Sequence, residues 1–147
     1  MKIVITESQL KLLKLINENE DVLNQFKTRI NAVNNGLNKL YTDINFITLA
    51  ELLNNEINID LFSSRYDNLD KEYNKISTEM DKYFNSFGED AYFDKWVSIH
   101  DNLDDINYNN QRKLDVISLI LSNLESLIND SKETSGLFSD IRTVNLS

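Results

Sequence analysis

The chain has 147 residues, with 15 Lys or Arg against 24 Asp or Glu for a formal net charge of −9, one His, three Gly, and neither Pro nor Cys. Without cysteine there can be no disulfide, thiolate metal site or cysteine nucleophile, and an acidic surface whose Lys and Arg lie scattered among carboxylates repels nucleic acid. At 41% hydrophobic residues the chain is too apolar for a disordered polymer and long enough to bury one core, yet it has no run of about 18 apolar residues for a membrane span.

The missing prolines, together with apolar residues recurring at alternating steps of three and four, predict an all-α fold. We expect long antiparallel helices in a three- or four-helix bundle or coiled-coil arrangement, with extended apolar segments at both ends. The first start signal is Thr6-Glu7-Ser8-Gln9, a Thr-x-x-Gln capping box flanked by Ile5 and Leu10 at the positions of a hydrophobic staple. From there a helix is expected over about 7–54, its seam carried by Leu23, Phe26, Ile30, Val33, Leu37, Leu40, Ile44 and Ile47. Asn35-Gly36 is a turn dipeptide, but the seam keeps its phase across it, so the spacing predicts one helix that tolerates Gly36 at about 1 kcal/mol.

After a break at 54–59, Asp60 is the expected N-cap of a helix over about 60–87. Its stripe is Phe62, Tyr66, Leu69, Tyr73, Ile76, Met80, Tyr83 and Phe87, and Gly88 suits a left-handed C-terminal cap. A third helix, about 90–131, carries Tyr92, Trp96, Ile99, Leu103 and Ile106, then Leu114, Ile117, Leu121, Leu124 and Ile128. Asn110 takes a seam position between the two sets, where two steps of four read as a stutter. Turns at 17–21 and 107–111 would instead divide the outer helices into shorter ones. Residues 1–136 are thus expected to form the bundle, and residues 137–147 an apolar tail closed off by Gly136.

The three helices as predicted would differ in length by tens of ångströms at about 1.5 Å per residue, leaving apolar seam uncovered at the ends, which is the mark of a partner surface. The candidate interface residues are Ile3, Ile5, Leu137, Phe138, Ile141, Val144 and Leu146. The tail could fold back, pair with Ile3-Val4-Ile5 as a small sheet, or dock on a neighbour as an added strand.

Catalytic and metal signatures fail on inventory. A single histidine, His100, excludes paired Glu-x-x-His and His-Glu-x-x-His sites. The 13 serines include no Gly-x-Ser-x-Gly elbow, no acidic run is followed by the glycine of a calcium loop, and the three glycines are too far apart for a phosphate loop. His100, four residues after Trp96 and four before Asp104, reads as a structural residue at the seam edge, and the acids read as a solvated face. We therefore expect no enzyme activity, cofactor or metal.

The opening Met1-Lys2-Ile3-Val4-Ile5-Thr6-Glu7-Ser8-Gln9 resembles the start of many small proteins encoded by tailed phages of low-GC hosts. The 21 asparagines, poor helix formers, fit AT-rich coding of that kind. The resemblance covers nine residues and implies a virion component such as a neck, ring or head-packaged protein, without transferring any functional residue. On this reading the chain is a non-enzymatic structural or interaction protein that assembles through helix seams and tail docking. Its partner would be itself or a larger phage assembly, with no direct nucleic-acid or membrane contact, and its place the cytoplasm of the producing cell or the virion. The alternative is an acidic decoy that blocks a host enzyme by mimicking nucleic-acid phosphates.

Overall fold

The computed structural model describes residues 6–47, 51, 54 and 58–146, with the backbone alone for residues 91 and 131–146. Three long α-helices and a short 3-10 helix account for nearly all of them, and there is no strand among the described residues.

Helix α1, Glu7–Asn45, begins at the expected capping box: the Thr6 hydroxyl accepts from the Gln9 amide at 3.2 Å, and the Gln9 side chain accepts from the Thr6 amide at 3.0 Å. It passes unbroken through 17–21 and through Gly36. A Cβ built on Gly36 would stand 2.7 Å from Cδ2 of Leu69, so the glycine lets another helix approach the α1 backbone closely. The helix ends at Asn45 rather than near 54. Its last turn tightens, the Ile47 amide bonding back to Ile44 O over three residues, and most of 48–57 lies outside the described residues.

Helix α2, Ile59–Asn85, is capped by Asn58, not Asp60. The Asn58 side chain accepts from the Asp60 amide at 3.1 Å, which leaves the Asp60 carboxylate in the first turn, where the helix dipole favours it. At the far end Gly88 takes φ +57°, the left-handed conformation that glycine adopts without strain. A 3-10 helix, Gly88–Tyr92, then delays the start of α3 to Asp94, four residues after the expected point.

Helix α3, Asp94–Leu146, is 53 residues long and runs through both 107–111 and Gly136. Over most of the expected apolar tail, 137–146, the backbone is helical. With no proline to stop it, each added residue gains a backbone hydrogen bond, against about 1 kcal/mol for one interior glycine.

The core is one continuous cluster. Leu15, Phe26, Ile30, Val33, Leu37, Leu40 and Ile44 come from α1, Ile76, Met80 and Phe84 from α2, and Trp96, Leu103, Leu114, Ile117 and Leu121 from α3. Aromatic rings fill one end. Tyr83 meets Phe26, Phe84 and Phe87 edge-on, and Trp96 lies against Phe84 and Phe87 at 5.0 and 5.2 Å between centroids. The aromatic stripe of α2 thus serves as core.

Side-chain pairs fix how the helices lie. Asn19 meets Tyr83, Arg29 meets Glu72 and Glu79, and Asp43 meets Arg65, so partners on α2 fall in number as those on α1 rise. Between α2 and α3, Asp81 meets His100 and Ser77 meets Asn107. Between α1 and α3, Lys11 meets Asp90 just ahead of α3, Ile30 meets Asn110 and Asn38 meets Lys113. No described helix is long and apolar enough to cross a membrane.

Candidate functional site

The sequence-predicted interface residues fall at the ends of the chain. Ile3 and Ile5 lie outside the described residues. Leu137, Phe138, Ile141, Val144 and Leu146 stand on the helical backbone of α3, with Leu137, Ile141 and Val144 at steps of four and three. The lengths explain why these positions matter. At about 1.5 Å per residue, the 39, 27 and 53 residues of α1, α2 and α3 span about 59, 41 and 80 Å. Trp96 opens the buried seam of α3 and Leu121 is its last buried residue among those whose side chains are described. Leu124 still packs on the core cluster, and Leu127, three residues on, is exposed. Past Leu124 the helical backbone of α3 continues for another 22 residues, 125–146, about 33 Å of helix.

Other apolar groups face outward nearer the core. Val116 and Leu119 are exposed on α3 and Tyr41 on α1. A shallow groove of about 320 Å³ between these helices is floored by Leu37, Val116 and Ile117 and edged by Arg112 and Lys113. The Lys113 amine is held by the side-chain oxygens of Asn34 and Asn38.

Inside the bundle lies a second, polar constellation on α3. From Leu103 the buried positions run 103, 107, 110, 114, 117 and 121, an unbroken alternation of four and three that extends back through half-buried His100 to Trp96. Asn107 is buried where Ile106 is only partly so, while His100 and Ile99 are both half-buried at the seam edge, and the expected stutter disappears. Asn107 donates to Ser77 Oγ at 2.8 Å, and Asn110 donates to the Ile30 carbonyl at 3.0 Å. Both are almost fully buried, and the Oδ1 of each has no hydrogen-bond partner, nor has Trp96 Nε1.

His100 is where three ionisable groups converge. Its ring stacks on Phe84, with 4.3 Å between centroids and 15° between planes. Its Nε2 faces Asp81 Oδ1 at 3.4 Å from α2 and Asp104 Oδ2 at 3.3 Å from the next turn of α3. Nε2 is buried, yet neither contact has hydrogen-bond geometry. One ligand atom from each residue lies within 4.8 Å of the others. Burial raises the Asp104 pKa; the attraction of His100 opposes that shift, and Asp81, Asp101 and Asp105 add to it. Inventory reasoning missed this site because Asp81 joins it only through the packing of α2 on α3. The available signal was the strict four-three phase from Trp96, which puts His100 on the seam.

Comparison with known proteins finds no matching family model, no matching curated protein and no matching solved structure.

Proposed function

We propose that this chain is a non-enzymatic structural protein that associates with copies of itself through the projecting end of α3. One observation carries the reading: α3 continues as helix for 22 residues past Leu124, the last α3 residue seen packing on the core cluster among the described side chains. In proteins most of a helix's stability comes from packing of an apolar face rather than from propensity. Leu127 and the apolar positions 137, 138, 141, 144 and 146 supply the material for such a face, and a second copy supplies a matching one, as two-fold contacts require. The falling partner numbers between consecutive helices and the strict four-three seam support an antiparallel three-helix coiled-coil bundle as the body that carries this arm. Placement in a tailed-phage virion, as a neck, ring or head-packaged component, rests on the opening nine residues. The decoy alternative is the weaker reading, because Arg29, Arg65 and Lys11 pair with Glu72 and Glu79, Asp43 and Asp90, so those acids do not form a bare stripe.

The test is light scattering coupled to size-exclusion chromatography on the full chain and on a variant ending at Asp130. We expect a discrete oligomer for the full chain and a monomer for the variant, with helical circular dichroism per residue preserved. A full chain that stays monomeric at high concentration would overturn the proposal.

A further inference from the structure

The convergence at His100 has a chemistry of its own, independent of assembly. The nitrogen of a neutral imidazole and the oxygens of two carboxylates are all acceptors. Bringing them together without a bonded proton between them is electrostatically unfavourable unless a cation sits among them. His100 Nε2, on a side chain 24% exposed, is a buried atom without a hydrogen-bond partner and has carboxylate oxygens at 3.3 and 3.4 Å; with its Nε2 unprotonated it would complete such a set of acceptors. These separations have a direct reading. Ligands about 2.0–2.1 Å from a tetrahedral zinc ion stand about 3.3–3.4 Å from one another, whereas an octahedral magnesium ion sets neighbouring ligands about 2.9 Å apart. An imidazole nitrogen in the set also disfavours calcium and magnesium, which prefer oxygen.

Local structure holds two of the three groups ready. His100 and Asp104 are one turn apart on α3, a spacing that puts two ligands on one helix face, and stacking on Phe84 fixes the plane of the ring. Asp81 comes from α2, its ligand oxygen lies within 4.8 Å of that of Asp104, and its side chain is 64% exposed, which leaves solvent available for the fourth position.

We propose that Asp81, His100 and Asp104 form a binding site for a divalent transition-metal ion of the zinc class, bridging α2 and α3 with three protein ligands and one water. The ion would tie together the two helices that share the aromatic end of the core.

His100 is the only histidine and there is no cysteine, so any imidazole signature of metal binding belongs to this residue. The test is nitrogen-15 NMR of the His100 ring in the untagged, metal-free protein, titrated with zinc chloride alone and compared with Asp81→Asn and Asp104→Asn. The expected result is saturation at one zinc per chain, with Nε2 shifting to the metal-bound range while Nδ1 keeps its proton. Each Asn variant should weaken the apparent affinity by about tenfold or more. Asp81→Asn is the safer variant, since its exposed side chain carries little of the fold. The proposal is overturned if zinc leaves both ring nitrogens unmoved, as for a plain imidazolium bridging two carboxylates. It is equally overturned if the zinc response survives both substitutions unchanged.

Discussion

Tyr83 shows how a single hydroxyl connects sequence to packing. Its ring fills the aromatic end of the core between Phe26, Phe84 and Phe87, and a tyrosine so placed needs a partner for its O–H. Asn19 provides one: its Oδ1 accepts from the Tyr83 hydroxyl while its Nδ2 donates to Leu15 O at 2.8 Å. Burial raises the Tyr83 pKa above its ordinary value of 10.0. The sign of the linkage follows, because the unfolded chain releases this proton before the folded one does. The Tyr83 contribution is complete below about pH 10 and is lost as pH climbs through the folded value. Tyr83→Phe should therefore cost about 1 kcal/mol at neutral pH, where it removes the bond to Asn19, while its stability should fall less steeply than the parent's above about pH 10. Urea unfolding of both proteins at neutral and alkaline pH checks this, and parallel alkaline limbs would count against a buried, neutral hydroxyl.

At the level of whole elements, the helices were legible in the sequence wherever apolar phase and cap chemistry agreed. The Thr6–Gln9 box, the passage of α1 through Gly36 and the left-handed Gly88 all follow from local rules. What local rules could not reveal were the reasons that lie across helices. Gly36 reads as a tolerated defect until Leu69 of α2 is seen against its Cα, and the seam of α3 reads as Ile99 and Ile106 because hydrophobicity favours them over His100 and Asn107. Those polar residues are seam members whose partners, Asp81 and Ser77, belong to α2. The extent of α3 escaped for a different reason, since Gly136 looks like a stop and acts as an interior residue. Buried asparagines of this kind fix register at a cost in stability. Asn110 leaves its Oδ1 unpaired, and the Ile30 carbonyl it bonds has an amide of its own helix four residues on. Asn110→Leu should accordingly be neutral or stabilising, by about 1–3 kcal/mol. It should also loosen the match of α1 to α3, visible as broadened or doubled amide resonances near Ile30. A large loss of stability would mean that the amide is worth more to the core than the apolar contact replacing it.

For the molecule as a whole, two opposing forces would govern the proposed assembly. Each chain carries a formal charge of −9, so copies repel one another at low ionic strength. The end of α3 is milder: residues 125–146 hold Glu125, Asp130, Glu133 and Asp140 against Lys132 and Arg142, and in the proposed oligomer its apolar positions would give a contact that salt does not weaken. Raising sodium chloride from about 0.05 to 0.5 M shortens the screening length from over 10 Å to about 4–5 Å, which removes most of the repulsion between copies and leaves the apolar attraction in place. Self-association through α3 should therefore tighten severalfold over that range, measured by sedimentation equilibrium, with the variant ending at Asp130 monomeric throughout. Association that weakens with salt would point to contacts made by ion pairs between charged helix faces, and the apolar arm would then have to be discarded as the seat of assembly.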